Sequence, residues 1–359
     1  MQITLSNRVV TTVAAAAVSL GALGALGALG AGAPLPGHPV AAGTSTVTAA
    51  ATASVAASVA QDAPGAAAQA AAARYWTPAR MSAVLQAASP AAAARELLEA
   101  RYLVKRARAV APREPALTGD TGGAGLRWTR GGAVAAAVGK VFFTLGDADY
   151  VCSGALVGRG QAEVVLTAAH CVSSGPARRA AQWATNWVFV PGYRNGQLPY
   201  GEYTASRFVT EPGWSGPQGG TEQYDVAFVR VTAATLNGWS GAAVPPPGLP
   251  VQFSASQDGP QAGRGYVFGY PAEPPYTGLY PSFCAGPVAA SDGSAHTACV
   301  MTAGDSGGPW LAGFSPRSGA GRVFAVSTFK MSGDLRVLYG AVLGPQARGA
   351  YQRAVRPPG

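Results

Sequence analysis

Residues 126–359 predict an all-β domain, a sandwich or a barrel, preceded by a pre-segment of different texture. Three observations carry this. Beyond residue 126, short apolar, β-branched or aromatic runs recur between Gly/Pro turns, the pattern of many short strands rather than of helices. Six of the seven tryptophans lie at or beyond Trp128, and all lie at or beyond Trp76, so the side chains that can fill a core begin late. All four cysteines fall within the same region, and an even number in an exported chain favours disulfides.

In chain order, the amino end has the form of an export signal. Arg8 precedes an apolar run from Val9 to about Ala33, and "VAAG" at 40–43 offers a cut after Ala42, which sets 1–42 as a signal peptide. The run exceeds 18 residues, so a membrane anchor is the alternative, but much of it is Gly and Ala and only weakly apolar. Residues 43 to about 73 are Ala/Thr/Ser-rich and predict a flexible stretch. From Ala79 to about Ala109 the spacing of Met81, Val84, Leu85, Leu97, Leu98 and Tyr102 predicts helix, broken by Pro90. "VKRARAVAPREP" (104–115) mixes basic residues with prolines and suits processing. Residues 43–125 therefore read as a propeptide with a helical segment, a small accessory domain being the alternative.

Strands are predicted at 140–145, 150–158, 163–168, 186–193, 203–210, 225–231, 265–271 and 322–330. "GPQARGAYQRAV" (344–355), with Pro345 at a first helical position, predicts a short closing helix.

The net charge of +9 is spread, +4 over residues 1–125 and +5 over 126–359. No basic stripe interleaved with aromatics points to nucleic acid. The cysteines allow three pairings. Nearest-neighbour pairing would close two short loops, Cys152–Cys171 and Cys284–Cys299, each worth roughly 3 kcal/mol in the loop-entropy account. No Cys-x-x-Cys pair suggests a metal or redox centre, and no cofactor is expected.

"TAGDSGGPW" (302–310) carries the chemistry. Three glycines around one serine are wasteful in a buried strand, since each costs conformational entropy and packs nothing. They suit a tight bend that presents Ser306. Attack on a carbonyl builds negative charge on oxygen, and the amides of Gly304 and Ser306 can be turned toward it. Asp305 points away and anchors the bend in the interior. A serine nucleophile needs a base, and a base needs a group that fixes its tautomer. Of three histidines, His38 lies in the tail and His296 among small polar residues reads as a surface side chain. His170 follows a buried strand in "VVLTAAHC", and Asp225 opens the apolar strand "YDVAFVRV".

"LTAAHC", "YDVAF" and "GDSGGP", in that order and separated by 55 and 81 residues, are similar to the three signature segments of the trypsin/chymotrypsin-like serine endopeptidases, and over about 126–359 the chain resembles exported bacterial members. The resemblance implies two packed antiparallel six-stranded β-barrels with the site in the cleft between them. It implies His170 as general base, Asp225 as its orienting partner, Ser306 as nucleophile, and the amides of Gly304 and Ser306 as oxyanion hole. Cys152–Cys171 matches the family's disulfide beside the histidine. Where animal members carry a cysteine four residues before the serine, this chain has Thr302, with its cysteine at 299. No Ile-Val-Gly-Gly start is visible, which speaks against activation by insertion of a new amino terminus near Asp305. Trypsin-type members place an Asp where this chain has Val300, so little preference for Arg or Lys is expected. Ser327 resembles the serine lining the substrate pocket, and Phe329 follows where small glycines keep it open. The expected function is a secreted, monomeric serine endopeptidase acting on protein or peptide, without stable membrane association. An esterase using the same triad and a catalytically silent binding member of the fold are the rivals.

Overall fold

The computed structural model describes residues 59–62, 65–87, 120–158, 164–175, 182–217, 220–236, 239–240, 246–255, 263–331 and 334–356. Expectations for 1–42 and for the helical pattern beyond residue 87 lie outside them.

Six strands close the first barrel: β3 (Val138–Leu145), β4 (Ala148–Val157), β5 (Val164–Thr167), β6 (Thr185–Pro191), β7 (Tyr203–Thr210) and β8 (Ala227–Ala233). The ring runs β3-β4-β5-β8-β7-β6 and back to β3, antiparallel throughout. β3 reads VGKVFFTL and is buried along nearly its whole length, as β-branched and aromatic residues on a closed sheet should be. Gly146, at φ +61°, is the first of the two residues that turn β3 into β4, a position glycine fills without strain. Phe142, Leu156, Val165, Phe189 and Phe228 fill this barrel and are essentially unexposed.

The second barrel is formed by β11 (Gly263–Gly269), β12 (Ser282–Ser291), β13 (Ser294–Ala298), β14 (Pro309–Ser315), β15 (Ala320–Met331) and β16 (Asp334–Val342). The ring runs β11-β14-β15-β16-β13-β12 and closes from β12 to β11. Its core gathers Val267, Met301, Trp310, Phe324 and Val342 around the Cys284–Cys299 disulfide. β2 (Leu126–Arg127) pairs with β12, and the Trp128 ring lies edge-on to Phe268, Phe283 and Phe314 at 5.4–5.7 Å between centroids. The barrel begins before residue 126: Thr121 N–H donates to Ala285 O (2.8 Å), and Gly123 O accepts from Val300 N–H (2.9 Å). A two-residue ribbon, β9 (Thr235–Leu236) with β10 (Trp239–Ser240), follows the first barrel.

The closing helix α4 (Pro345–Val355) returns to the first barrel. Ala347, Ala350 and Ala354 form its buried stripe, and Tyr351 meets the ring of Phe228 at 5.4 Å. A short helix α3 (Ala133–Ala137) leads into β3.

One expectation fails. The Ala/Thr/Ser stretch read as flexible contains ordered structure: β1 (Val59–Asp62) pairs antiparallel with β7, and helix α1 (Ala66–Tyr75) packs on β6 and β7. Helix α2 (Pro78–Ala87) follows and bears out the start of the predicted helix. Composition describes the stretch alone, whereas its order comes from the barrel wall it covers. The described residues, 59–356 apart from the gaps given above, form one compact unit.

Candidate active site

The register of β5 on β8 brings two of the predicted residues together. Thr167 stands opposite Ala227; His170 lies just past Thr167 in the turn Ala169–Cys171, and Asp225 lies just before Ala227. His170 Nδ1 meets Asp225 Oδ2 at 2.6 Å, and the His170 backbone N–H donates to Asp225 Oδ1 at 2.8 Å. The carboxylate therefore fixes both the ring and the turn that carries it. Burial works to lower the imidazole's pKa, but the charge and hydrogen bond of Asp225 outweigh it and raise the value above 6.5. This geometry leaves Nε2 as the basic nitrogen.

The glycine bend is as tight as the sequence required. Gly304 has φ +94°, and a Cβ there would come within 2.8 Å of Ala272 Cβ and Tyr270 O. Gly307 has φ +80°, and a Cβ would come within 2.2 Å of Thr167 Oγ1 and 2.4 Å of Ser153 O. Gly307 N–H donates to Ser327 O, and Ser327 N–H to Gly308 O, at 2.7 and 2.9 Å, tying the bend to β15. Among the described residues, neither the Gly304 nor the Ser306 amide is spent on a hydrogen bond. Both remain available to an oxyanion.

Two consecutive residues of β4 couple the halves. Cys152 is disulfide-bonded to Cys171, next to His170. Ser153 N–H donates to Ser306 O (2.8 Å), while its hydroxyl donates to Gly304 O (2.7 Å) and accepts from Tyr270 N–H (2.8 Å). Ser306 is thus bound by its backbone beside the His170 turn. Its hydroxyl makes no hydrogen bond among the described residues, and such bonds commonly tighten only when substrate is bound. Ser153 escaped the sequence reading; the available signal was one small hydroxyl in the apolar run "CSGALV".

Asp305 is buried as expected, but neither carboxylate oxygen makes a hydrogen bond of good geometry. Burial pushes its pKa up to about 7 against the opposing Ser327 hydroxyl and Lys330 charge. Glu211, close enough to Asp225 to feel its charge, is likewise buried, and its carboxylate makes no hydrogen bond of good geometry. Burial is the main cause lifting it to about 8; the Ala347 amide of α4 offsets this in part and the Asp225 charge adds to it. Sequence gave no sign of Glu211, because a lone acid after a strand ordinarily faces water.

The residues read as a specificity pocket lie on or beside the strands of the second barrel. Val300 and Ser327 are buried, and the Ser327 hydroxyl accepts from Trp310 Nε1–H at 3.0 Å. Phe329 stacks on Tyr339 at 4.8 Å between centroids. His296, expected at the surface, is half-buried on β13 with its ring against Tyr339.

Residues 152–313 match the model of the trypsin-like peptidase domain. The chain carries a trypsin-like peptidase domain. A similar solved structure is the protease Anisep from Arthrobacter nicotinovorans, at 34% identity and TM-score 0.52, covering 62% of this chain and 96% of that one. A thermostable serine protease, AL20, from an extremophilic microorganism is 28% identical at TM-score 0.53, covering 62% and 100%. The extracellular metalloprotease of Bacillus subtilis (strain 168) is 30% identical over 112 residues, which span 31% of this chain and 33% of that protein; the chain thus spans about a third of that relative's length. Its name speaks of a metal, for which the donors around His170 are unsuited. Cys152, His170 and Cys171 cluster within 4.8 Å, but both sulfurs are spent in the disulfide and Nδ1 is bound to Asp225. The trypsin-like peptidase domain and its protease neighbours support peptidase function. Two disulfides are consistent with an extracellular location, and no helix among the described residues is long and apolar enough to cross a membrane.

Proposed function

We propose that the protein is a secreted serine endopeptidase, made with a signal peptide at 1–42 and processed within 104–115, that cleaves peptide bonds through an acyl-enzyme on Ser306. The observation that carries this is the bidentate grip of Asp225 on His170 beside a glycine bend whose Gly304 and Ser306 amides are unspent. His170 Nε2 takes the Ser306 hydroxyl proton as the oxygen bonds to the substrate carbonyl, and the two amides receive the negative charge. The same proton passes to the leaving amine as the C–N bond breaks. Water then repeats the sequence on the ester, restoring the serine and freeing the carboxylate product. Asp225 keeps the proton-bearing Nδ1 turned inward throughout.

With Val300 in place of an acid and the bulky Phe329, stacked on Tyr339, where small residues would keep a pocket open, small or apolar side chains suit the enzyme better than Arg or Lys. A fluorophosphonate should label wild-type protein and leave Ser306→Ala unlabelled, and casein should be cleaved in preference to short-chain esters. Ester turnover without casein cleavage would make the protein an acyl hydrolase. Equal, absent labelling of both proteins in processed material would make it a binding member of the fold.

A further inference from the structure

We propose that residues 59–87 are a permanent strap of the mature enzyme. When the chain is cut between 87 and 120, this segment stays seated on the first barrel and supports the oxyanion bend from behind. The proposal deepens the reading that the chain is processed within 104–115, because it states what becomes of the amino-terminal piece.

The seat is built by barrel and strap together. β6 pairs with β7 only at Tyr203 and Thr204, which leaves the same edge of β7 open from Arg207 to Thr210. β1 fills that edge, residue for residue, with Val59 opposite Thr210 and Asp62 opposite Arg207. An unpaired strand edge is a liability for any exported protein, and a strand added from the same chain removes it. Next along the chain, Trp76 is only 2% exposed. Its ring meets Phe142 of β3 at 5.4 Å between centroids, and its indole N–H donates to Asn186 O. Asp149 of β4 then receives the Tyr75 hydroxyl at 2.9 Å and Arg80 Nε at 3.0 Å, along with the Thr144 hydroxyl at 2.8 Å. Met81, Val84 and Leu85 bury the inner face of α2.

Leu85 extends the contact toward the chemistry. Its Cδ2 lies 2.8 Å from where a Cβ would stand on Gly278, beside Lys140 Nζ and Ala272 Cβ. Gly278 N–H donates to Pro271 O (2.9 Å), and Ala272 N–H to Ala303 O (2.7 Å). Ala272 Cβ is also the atom that a side chain on Gly304 would strike. The strap thus presses on the loop that backs the oxyanion bend. It does so without covering the bend: the His170 side chain is still 24% exposed and Ser306 is half-exposed with residues 59–87 in place. A segment whose service ended at activation would be expected to sit over the nucleophile, and this one lies behind it. Leu85 is a positioning residue, acting through Gly278 and Ala272.

The test uses the full chain carrying Ser306→Ala, with a site for a sequence-specific protease placed within 104–115. After cutting, gel filtration at about micromolar concentration followed by mass spectrometry should find the piece containing 59–87 in one-to-one complex with the barrel chain, separating only in denaturant. Elution of that piece alone, from barrels that keep their near-ultraviolet circular dichroism, would overturn the proposal. Trp76→Ala should loosen the cut complex by at least about a hundredfold. In the active chain, Leu85→Ala should lower kcat with KM held, at equal active-site titre; an unchanged kcat would remove the positioning role. Amino-terminal sequencing of naturally secreted protein tests the processing reading separately: a chain starting near Gly43 defeats that reading but leaves the engineered cut informative.

Discussion

Replacing Gly304 by alanine puts a methyl group where the structure has no room for one. The added carbon would lie 2.8 Å from both Ala272 Cβ and Tyr270 O and 2.9 Å from Ala272 N, roughly half an ångström or more inside ordinary contact. Two of those atoms are backbone, and both strands of the loop are tied: Ala272 N–H to Ala303 O, Tyr270 N–H to Ser153 Oγ. The φ of +94° adds about 1–2 kcal/mol for any residue with a Cβ. The bend relieves both strains most cheaply by rotating the 303–304 peptide, which turns the Gly304 amide away from the oxyanion. Loss of one such donor costs about 3 kcal/mol of barrier lowering, or roughly a hundredfold in kcat. Steady-state kinetics on a peptide substrate should show that fall with KM nearly unchanged, while thermal unfolding shows a loss no larger than about 2 kcal/mol. Wild-type kcat in Gly304→Ala would mean that this amide is not an oxyanion donor.

Two further predictions rest on titration. Because the base must be neutral and Asp225 raises the His170 pKa, kcat/KM should climb with pH through a midpoint above about 6.5; Asp225→Asn should lower that midpoint and cut kcat by about 10⁴, as the loss of this partner does in serine proteases generally. Glu211 is protonated in the fold up to about pH 8, whereas the unfolded chain releases that proton near 4.5. The folded state therefore binds the extra proton, and stability falls as pH rises from about 4.5 through about 8. Glu211→Gln should raise Tm relative to wild type at pH 9 by up to roughly ten degrees, on the order of 5 kcal/mol at most, and should bring no gain at pH 4; calorimetry showing the same difference at both pH values would refute the buried, neutral acid.

The eight strands predicted from apolar runs correspond to β3–β8, β11 and β15, because each carries enough β-branched or aromatic residues to fill its own face of a barrel. Of the four second-barrel strands that were not predicted, β14 (PWLAGFS) and β16 (DLRVLYGAV) carry bulky residues interrupted by glycine or charged ones, and the other two carry small residues. β12 reads SFCAGPVAAS and β13 SAHTA, and neither has the bulk that marks a strand. Their hairpin was nonetheless written in the chain: Asp292 and Gly293, both at positive φ, are the Asp-Gly pair that favours a two-residue turn. At the site, the pairing of His170 with Asp225 and the bend at Ser306 could be anticipated because the proposed chemistry demands particular side chains. The groups that hold them act through backbone atoms or a single hydroxyl, as Ser153 does, and leave little imprint on residue type.

The strap was illegible for a different reason, and the reason says what kind of element it is. α1 reads AAAQAAAARY, and alanine favours helix without declaring which face is buried. β1 reads VAQD, too short to be marked as a strand by its own pattern. What orders both is the open edge of β7 and the niche lined by Phe142 and Asn186, which lie far along the chain. A segment that cannot bury enough apolar surface by itself folds only on a partner, and here the partner is the finished barrel. The strap's order therefore depends on the barrel wall, whereas the barrel wall closes by its own strand pairings. Cutting the connection between them costs only the local concentration that the covalent tether provides, so the contacts of Trp76, Met81 and Leu85 must carry the attachment alone.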